Sequence, residues 1–143
     1  MQVIRRSELV PDRRPDGRTV LPLLDLPLGP SVDRAAILHV VHPADFTERR
    51  HYHRHLHEVF YFLDSADYWV NGAVVRLAPG DVLVLEPNDV HGALPVPHPV
   101  RIIVHHLPKV PGDKVEVEVE VDEGAIAPEA PGAAEAPEGT VRR

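Results

Sequence analysis

The sequence contains no cysteine, and aromatic side chains make up only 5% of its 143 residues. Without cysteine, disulfide frameworks, thiolate zinc sites and cysteine nucleophiles are all excluded. The chain also lacks an uncharged apolar stretch long enough to cross a membrane. Its first residues, MQVIRRSELVPDRR, contain arginines with no apolar run behind them, unlike a signal peptide. These absences predict a cytoplasmic protein with no membrane segment.

A surplus of positive charge is missing as well. The net charge is −7, and residues 113–143 hold 9 acidic against 3 basic side chains. The rest of the chain is nearly neutral and offers no basic face large enough to follow the phosphates of a nucleic acid. We therefore expect no nucleic-acid partner.

Short strands separated by turns dominate the middle of the chain, residues 34–112, and no convincing helical periodicity occurs there. Asn71-Gly72 between two β-forming segments is a strong hairpin signal. Closely spaced short strands with Gly, Pro and Asn turns predict an all-β sandwich or barrel.

Three further segments flank this predicted barrel. Residues 1–33 are broken by prolines and predict an arm with short strands at Val3-Ile4 and Val20-Leu24. In residues 113–123, valines alternate with charged residues, which predicts a charged edge strand. Residues 124–143 are mostly Ala, Pro, Gly and Glu and predict an acidic, disordered tail. The arm or the valine face could support a homodimer.

The most distinctive chemical feature is the run HYHRHLHEVF at residues 51–60, in which four histidines alternate with other residues before a glutamate. Side chains two residues apart on a strand share a face, so neighbouring histidines of the run can bind one ion. Glu58 has the opposite parity, so a loop or bulge between residues 54 and 57 must turn it to that face. The run alone does not decide which histidines bind.

This run and the later segment PGDVLVLEPNDVH (residues 79–91) resemble the two motifs of the cupin superfamily. Those motifs have the forms G-x5-H-x-H-x3 or x4-E-x6-G and G-x5-P-x-G-x2-H-x3-N. The positions that match are His51, His53, Glu58, Gly80 and His91. The positions that depart are Asp45 and Ser65 in place of the first motif's glycines, and Glu86, Asn88 and Pro95 in place of the second motif's proline, glycine and asparagine.

The resemblance implies a small single-domain metalloprotein with the cupin-type double-stranded β-helix, a jelly-roll barrel. It also implies that His51, His53, Glu58 and His91 hold one divalent first-row transition metal. Imidazole and carboxylate ligands suit Fe, Mn, Ni, Co, Cu and Zn alike. A shifted site on His53 and His55 remains open, and no role is assigned to His57. By strand parity one of His105 and His106 could face inward beside the site as a base. Phe60 and Phe62 share the parity of Glu58 and should line the barrel interior.

For function, the resemblance implies a metal-dependent enzyme acting on a small organic molecule. Dioxygenase chemistry is slightly favoured, with Glu58 as a proton acceptor. The alternatives are a Lewis-acid isomerase or epimerase of a sugar or keto acid, and a barrel that binds a metal or small ligand without turnover. The sequence identifies no substrate and leaves open whether the protein is catalytic.

The proposed ligand set predicts how two histidine variants differ in metal content. Purified protein should carry about one first-row divalent metal per chain, and His91→Ala should lose it because a ligand is removed. His55→Ala should keep most of its metal. Elemental analysis of both variants measures this, and a His55→Ala protein that is empty would establish the shifted His53/His55 site instead.

Overall fold

The computed structural model describes residues 1–13, 19–20 and 32–119 of the chain. Within these residues the one helical element is a 3₁₀ turn, Arg6–Glu8, and strands predominate. The strands are β1 (Gln2–Ile4), β2 (Asp12–Arg13), β3 (Thr19–Val20), β4 (Ala36–His42), β5 (His51–His53), β6 (His57–Phe62), β7 (Ala66–Val70), β8 (Ala73–Leu77), β9 (Val82–Leu85), β10 (His91–Ala93), β11 (Val100–Leu107) and β12 (Lys114–Glu116). The predicted tail at 124–143, and residues 21–24 of a predicted strand, lie outside the described residues.

Two five-stranded antiparallel sheets form the body of the described fold. The first has the order β1-β9-β6-β11-β4, and the second has the order β12-β5-β10-β7-β8. Neighbours in each sheet are mostly distant in sequence, which is the interleaving expected of a jelly roll. The all-β prediction is confirmed.

The main hydrophobic core contains inward-facing side chains of both sheets. Phe60 and Phe62 on β6 belong to this core, as their shared parity with Glu58 predicts. They pack against Tyr68 of the second sheet, with ring centroids 5.6 Å apart in both pairs. On the opposite face of β6, Val59 belongs to a separate buried cluster with Val82 and Val84.

The turns that the sequence motifs predict contain residues with positive φ. Asn71 (φ 48°) and Gly72 (φ 94°) both have positive φ, and this hairpin joins β7 to β8 as predicted. Asp45 (φ 60°) and Asn88 (φ 72°) stand at glycine positions of the cupin motifs and keep positive φ. Asp and Asn tolerate this region better than most residues, so the loss of these glycines preserves the two turns.

Residues 54–56 carry the chain from one sheet to the other. β5 belongs to the second sheet and β6 to the first, so Glu58 reaches its position through a change of sheet rather than a bulge within one strand. The buried carboxylate of Asp113 fixes this crossover. Its Oδ2 accepts the backbone N–H groups of His55 (3.0 Å) and Leu56 (3.1 Å), and its Oδ1 accepts Nδ1–H of His55 (2.7 Å).

The charged edge strand is shorter than its valine pattern predicts. β12 ends at Glu116, and residues 117–119 are not in a strand. Its partner β5 has only three residues, so the pairing ends with one further bond, from the N–H of Val117 to the carbonyl of Arg50 (2.9 Å). Residues 120–123 of the predicted strand lie outside the described part of the chain.

Replacing Asp113 tests how strongly the crossover depends on its carboxylate. Asp113→Ala leaves the N–H groups of His55 and Leu56 without their acceptor, which should lower the free energy of unfolding by about 2–4 kcal/mol. Urea denaturation in the presence of a chelator measures this without a contribution from metal. Asp113→Asn, which keeps one acceptor oxygen, should lose less.

The pH dependence of that loss has a definite sign. Burial raises the pKa of Asp113, but bonds from His55 and Leu56 outweigh it and hold the pKa below its ordinary value. A lowered carboxyl pKa gives stability that is present above the unfolded pKa and lost as pH falls through the folded pKa. The stability difference between wild type and Asp113→Asn should therefore shrink as pH falls below about 3.9. A difference independent of pH would mean that the charge of Asp113 contributes nothing.

Candidate metal centre

His51, His53, Glu58 and His91 converge on one point between the two sheets. β5 supplies the first two, β10 supplies His91 directly opposite His51 in register, and β6 supplies Glu58 from the other sheet. One ligand atom from each lies within 4.8 Å of all the others, and all four residues are buried. Among the described residues this is the one cluster of three or more His, Asp or Glu with such geometry. The sequence therefore named the residues that the fold brings together.

Backbone carbonyls set the proton positions of two of these histidines. Nδ1 of His51 lies 3.0 Å from the carbonyl of Arg49, and Nδ1 of His91 lies 2.9 Å from the carbonyl of Asp89. A carbonyl oxygen only accepts, so in both rings Nδ1 carries the hydrogen and Nε2 presents its lone pair. Burial, and repulsion from His91, lower the pKa of His51 below its ordinary value and favour the neutral ring.

Glu58 is the single carboxylate of the cluster. Its Oε2 lies 3.1 Å from Nε2 of His91 and 3.4 Å from Nε2 of His53, while its Oε1 accepts a hydrogen bond from Nε2–H of His106 (2.9 Å). Burial raises the pKa of Glu58, but its neighbours, first of all the hydrogen bond from His106, outweigh it and lower the pKa well below its ordinary value. Glu58 is therefore negatively charged.

The remaining two histidines of the run lie outside the cluster. The side chain of His55 is 70% exposed and its Nδ1 is bonded to Asp113, so it belongs to the crossover. His57 is half-buried at the start of β6 and opposite Leu107 in register. Nδ1 of His53 is buried without a hydrogen-bond partner among the described residues, 3.9 Å from Oδ2 of Asp113, and Nε2 lies 3.4 Å from Oε2 of Glu58. The shifted His53/His55 arrangement does not match this geometry.

His106 is the functional candidate that the sequence did not resolve. Strand parity allowed either His105 or His106 to face inward, and the register of β11 against β6 selects His106 by pairing it with Glu58. His105 lies on the other face, with Nδ1 3.2 Å from the carbonyl of Val59. Only the relative register of two strands distant in sequence could have separated the two histidines.

The arrangement of unpaired atoms fits a bound cation. Nε2 of His91 and Oε2 of Glu58 are buried and have no hydrogen-bond partner among the described residues. A buried acceptor atom without a hydrogen-bond donor raises the free energy of the folded state, and two such atoms that face one another raise it further. A divalent metal between them would satisfy both, and the three imidazoles and one carboxylate suit most first-row ions. The ligand types do not select one metal.

Two arginines that precede the run, Arg49 and Arg50, have partners of their own. Arg49 is 84% exposed and its Nη1 lies 3.3 Å from Glu116 Oε2. Arg50 is buried, but its Nη1 donates to the carbonyl of Glu48 and its guanidinium lies 5.4 Å from the centre of the Trp69 ring. Arg50 also packs against Gly92, where an added Cβ would come within 2.9 Å of its Nη1.

Comparison with solved structures identifies the architecture. A conserved protein with a double-stranded β-helix domain from Klebsiella pneumoniae matches with a TM-score of 0.55 and 23% identity over 61% of this chain and 77% of the other. This chain has the double-stranded β-helix fold. No protein-family model matches it, and the search of curated proteins found no relative.

Two similar structures carry names that describe an activity. The DMSP lyase DddQ from Ruegeria pomeroyi matches with a TM-score of 0.53 and 23% identity. The match covers 59% of this chain but only 43% of that enzyme. Pac13 from Streptomyces, described as a nucleoside dehydratase, matches with a TM-score of 0.51 and 14% identity over 62% of this chain and 72% of the other. At these identities the likeness establishes a cupin-like fold and not an activity.

One further observation concerns membranes. In the described part of the chain, no helix has the length and apolar character needed to span a bilayer. The cytoplasmic location, the homodimer and the lack of a nucleic-acid partner remain predictions.

The centre predicts a metal-dependent gain in thermal stability. A metal whose free concentration is 100 times its Kd for the folded chain should raise the free energy of unfolding by about 2.7 kcal/mol. The reason is that the unfolded chain lacks the assembled site. Glu58→Gln should lose most of this gain, since the amide removes the single negative charge. Calorimetric melting with and without Zn²⁺ or Co²⁺ measures it. His57→Ala is the matched control, and an equal loss of the gain in both variants would contradict the proposed ligand set.

Proposed function

We propose that this chain is a metal-dependent enzyme that acts on a small organic molecule. The observation that carries the proposal is the convergence of one ligand atom each from His51, His53, Glu58 and His91 on one buried point. Structural metal sites are closed by their protein ligands, whereas four protein ligands on a six-coordinate ion leave positions for substrate.

A non-ligand titratable group beside the centre favours an enzyme over a passive binding barrel. His106 contacts Glu58, and its side chain is 20% exposed, so it lies between the buried cluster and solvent. Proton-transfer chemistry commonly uses a titratable group beside the metal, so His106 supports an enzyme in addition to any part it has in orienting Glu58.

The charge of the centre indicates the kind of substrate. When bound, the metal supplies Lewis-acid polarisation of a substrate oxygen. The neutral imidazoles and the single carboxylate of Glu58 neutralise only half of a divalent charge. The site therefore favours an anionic or oxygen-rich molecule. The inward aromatic rings of Phe60 and Tyr68 supply an apolar wall, with the Phe60 ring centroid 6.2 Å from that of His91.

Glu58 fits a ligand better than a proton acceptor. A carboxylate whose pKa is held well below its ordinary value is a weak base, because its negative form is already stabilised. With Oε1 bonded to His106 and Oε2 turned toward the proposed metal, Glu58 would have no oxygen left for a substrate proton. We therefore assign it to metal binding.

Proton transfer next to a polarised oxygen is the reaction type we favour. Two structural neighbours are named as a lyase and a dehydratase, and reactions of both kinds remove a group without consuming O2. Dioxygenase chemistry is the second candidate, since open coordination positions would also admit O2. The His106–Glu58 contact gives no particular support to oxygen chemistry, and it does suit a reaction in which protons move.

Metal identification followed by a turnover screen under nitrogen and under air tests the proposal. The panel contains catechols, flavonols, thiols and keto acids, together with DMSP and nucleosides because the neighbours' names point to them. We expect an anionic or oxygen-rich compound to be converted at equal rates in both atmospheres. Mass spectrometry of the products measures these rates. His91→Ala should abolish the conversion.

The alternative outcomes separate the candidates. Conversion under air alone, with matching oxygen uptake, would replace proton transfer by dioxygenase chemistry. Metal-loaded protein that binds panel compounds, with changes in its Co²⁺ spectrum, but converts none of them would favour a binding barrel.

A further inference from the structure

We propose that His106 is a positioning residue that holds Glu58 so that only one carboxylate oxygen is offered to the metal. The proposal rests on the metal site proposed above and concerns how that site is built. Nε2–H of His106 donates to Oε1 of Glu58 over 2.9 Å, and Oε2 alone faces His91 and His53.

Strand pairing fixes the position of His106. It lies directly opposite Glu58 in the antiparallel ladder of β6 and β11, so the two side chains emerge on the same face. Eight-residue β11 is paired on both sides, with β6 and with β4. A partner held by two ladders has little freedom to move away from Glu58.

The hydrogen bond acts on the one torsion of Glu58 that is intrinsically loose. The last side-chain torsion of glutamate is broad, so a carboxylate without a second partner can rotate and offer both oxygens to a metal. A bond to Oε1 removes that freedom and reserves Oε2 for the centre. A second ligating oxygen would fill a coordination position, so the contact with His106 keeps that position available for substrate.

A purely structural role for His106 makes a different prediction. The ring also fills space near His53, with ring centroids 5.9 Å apart, and could matter only for packing. In that case a side chain of similar size should serve equally well, whether or not it donates a hydrogen bond. The comparison of glutamine with leucine and asparagine at position 106 separates the two roles.

The experiment measures Co²⁺ affinity and the Co²⁺ absorption spectrum in four variants. His106→Leu removes the donor, His106→Asn keeps an amide that is too short to reach Oε1, and His106→Gln keeps an amide that can reach it. His105→Leu is the matched control, because this histidine is adjacent in sequence but lies on the opposite face. Circular dichroism confirms that each variant is folded.

We expect His106→Leu and His106→Asn to weaken Co²⁺ binding about 10–100-fold, the usual cost of removing a partner that orients a ligand. Their visible bands should also change, since a second carboxylate oxygen in the coordination sphere alters the ligand field of the Co²⁺ ion. His106→Gln should recover most of the affinity and the wild-type spectrum, and His105→Leu should match wild type in both.

Other results overturn the proposal in distinguishable ways. If His106→Leu and His106→Asn bind Co²⁺ with the wild-type affinity and spectrum, His106 does not position Glu58. If the leucine variant fails to fold, equal behaviour of the asparagine and glutamine variants has the same meaning. If the wild-type protein binds neither Co²⁺ nor Zn²⁺, the proposed function itself fails, and the role of His106 fails with it.

Discussion

The change of sheet at residues 54–56 is the constraint on which the centre depends. On one continuous strand, Glu58 would face away from His51 and His53, because side chains alternate across a strand. The crossover places the two histidines on the second sheet and the glutamate on the first, so that they meet across the interior. The carboxylate of Asp113 holds the crossing point by accepting two backbone N–H groups and a histidine ring N–H.

Features with a local cause could be predicted from the sequence. The alternation that places Phe60 and Phe62 in the core is a property of one strand, and the Asn71-Gly72 hairpin is a property of two residues. The cupin motifs also named the residues that cluster, because motif spacing already contains the effect of the crossover. Asp45 and Asn88 show how far such motifs can vary while the backbone conformation is kept.

Features with a distant cause could not be predicted. Asp113 follows the crossover by 57 or 58 residues, and His106 follows Glu58 by 48. Before the fold is known, Asp113 is one more charged residue of the predicted edge strand. His105 and His106 are equivalent in the sequence, and only the register of β11 against β6 distinguishes them. The supports of the centre therefore come from chain segments whose local patterns give no sign of it.

The orientation of His51 and His91 by backbone carbonyls affects which positions of this protein can change during evolution. In both, the accepting carbonyl belongs to the residue two positions earlier, so the metal-facing nitrogen is selected by main chain rather than by a side chain. Substitution of Arg49 would not change which nitrogen of His51 faces the metal, because every amino acid supplies the same backbone carbonyl. Glu58 has no such protection, since its orientation depends on the side chain at one other position. Descendants of this sequence should therefore tolerate exchange at position 49, and positions 58 and 106 should change only together.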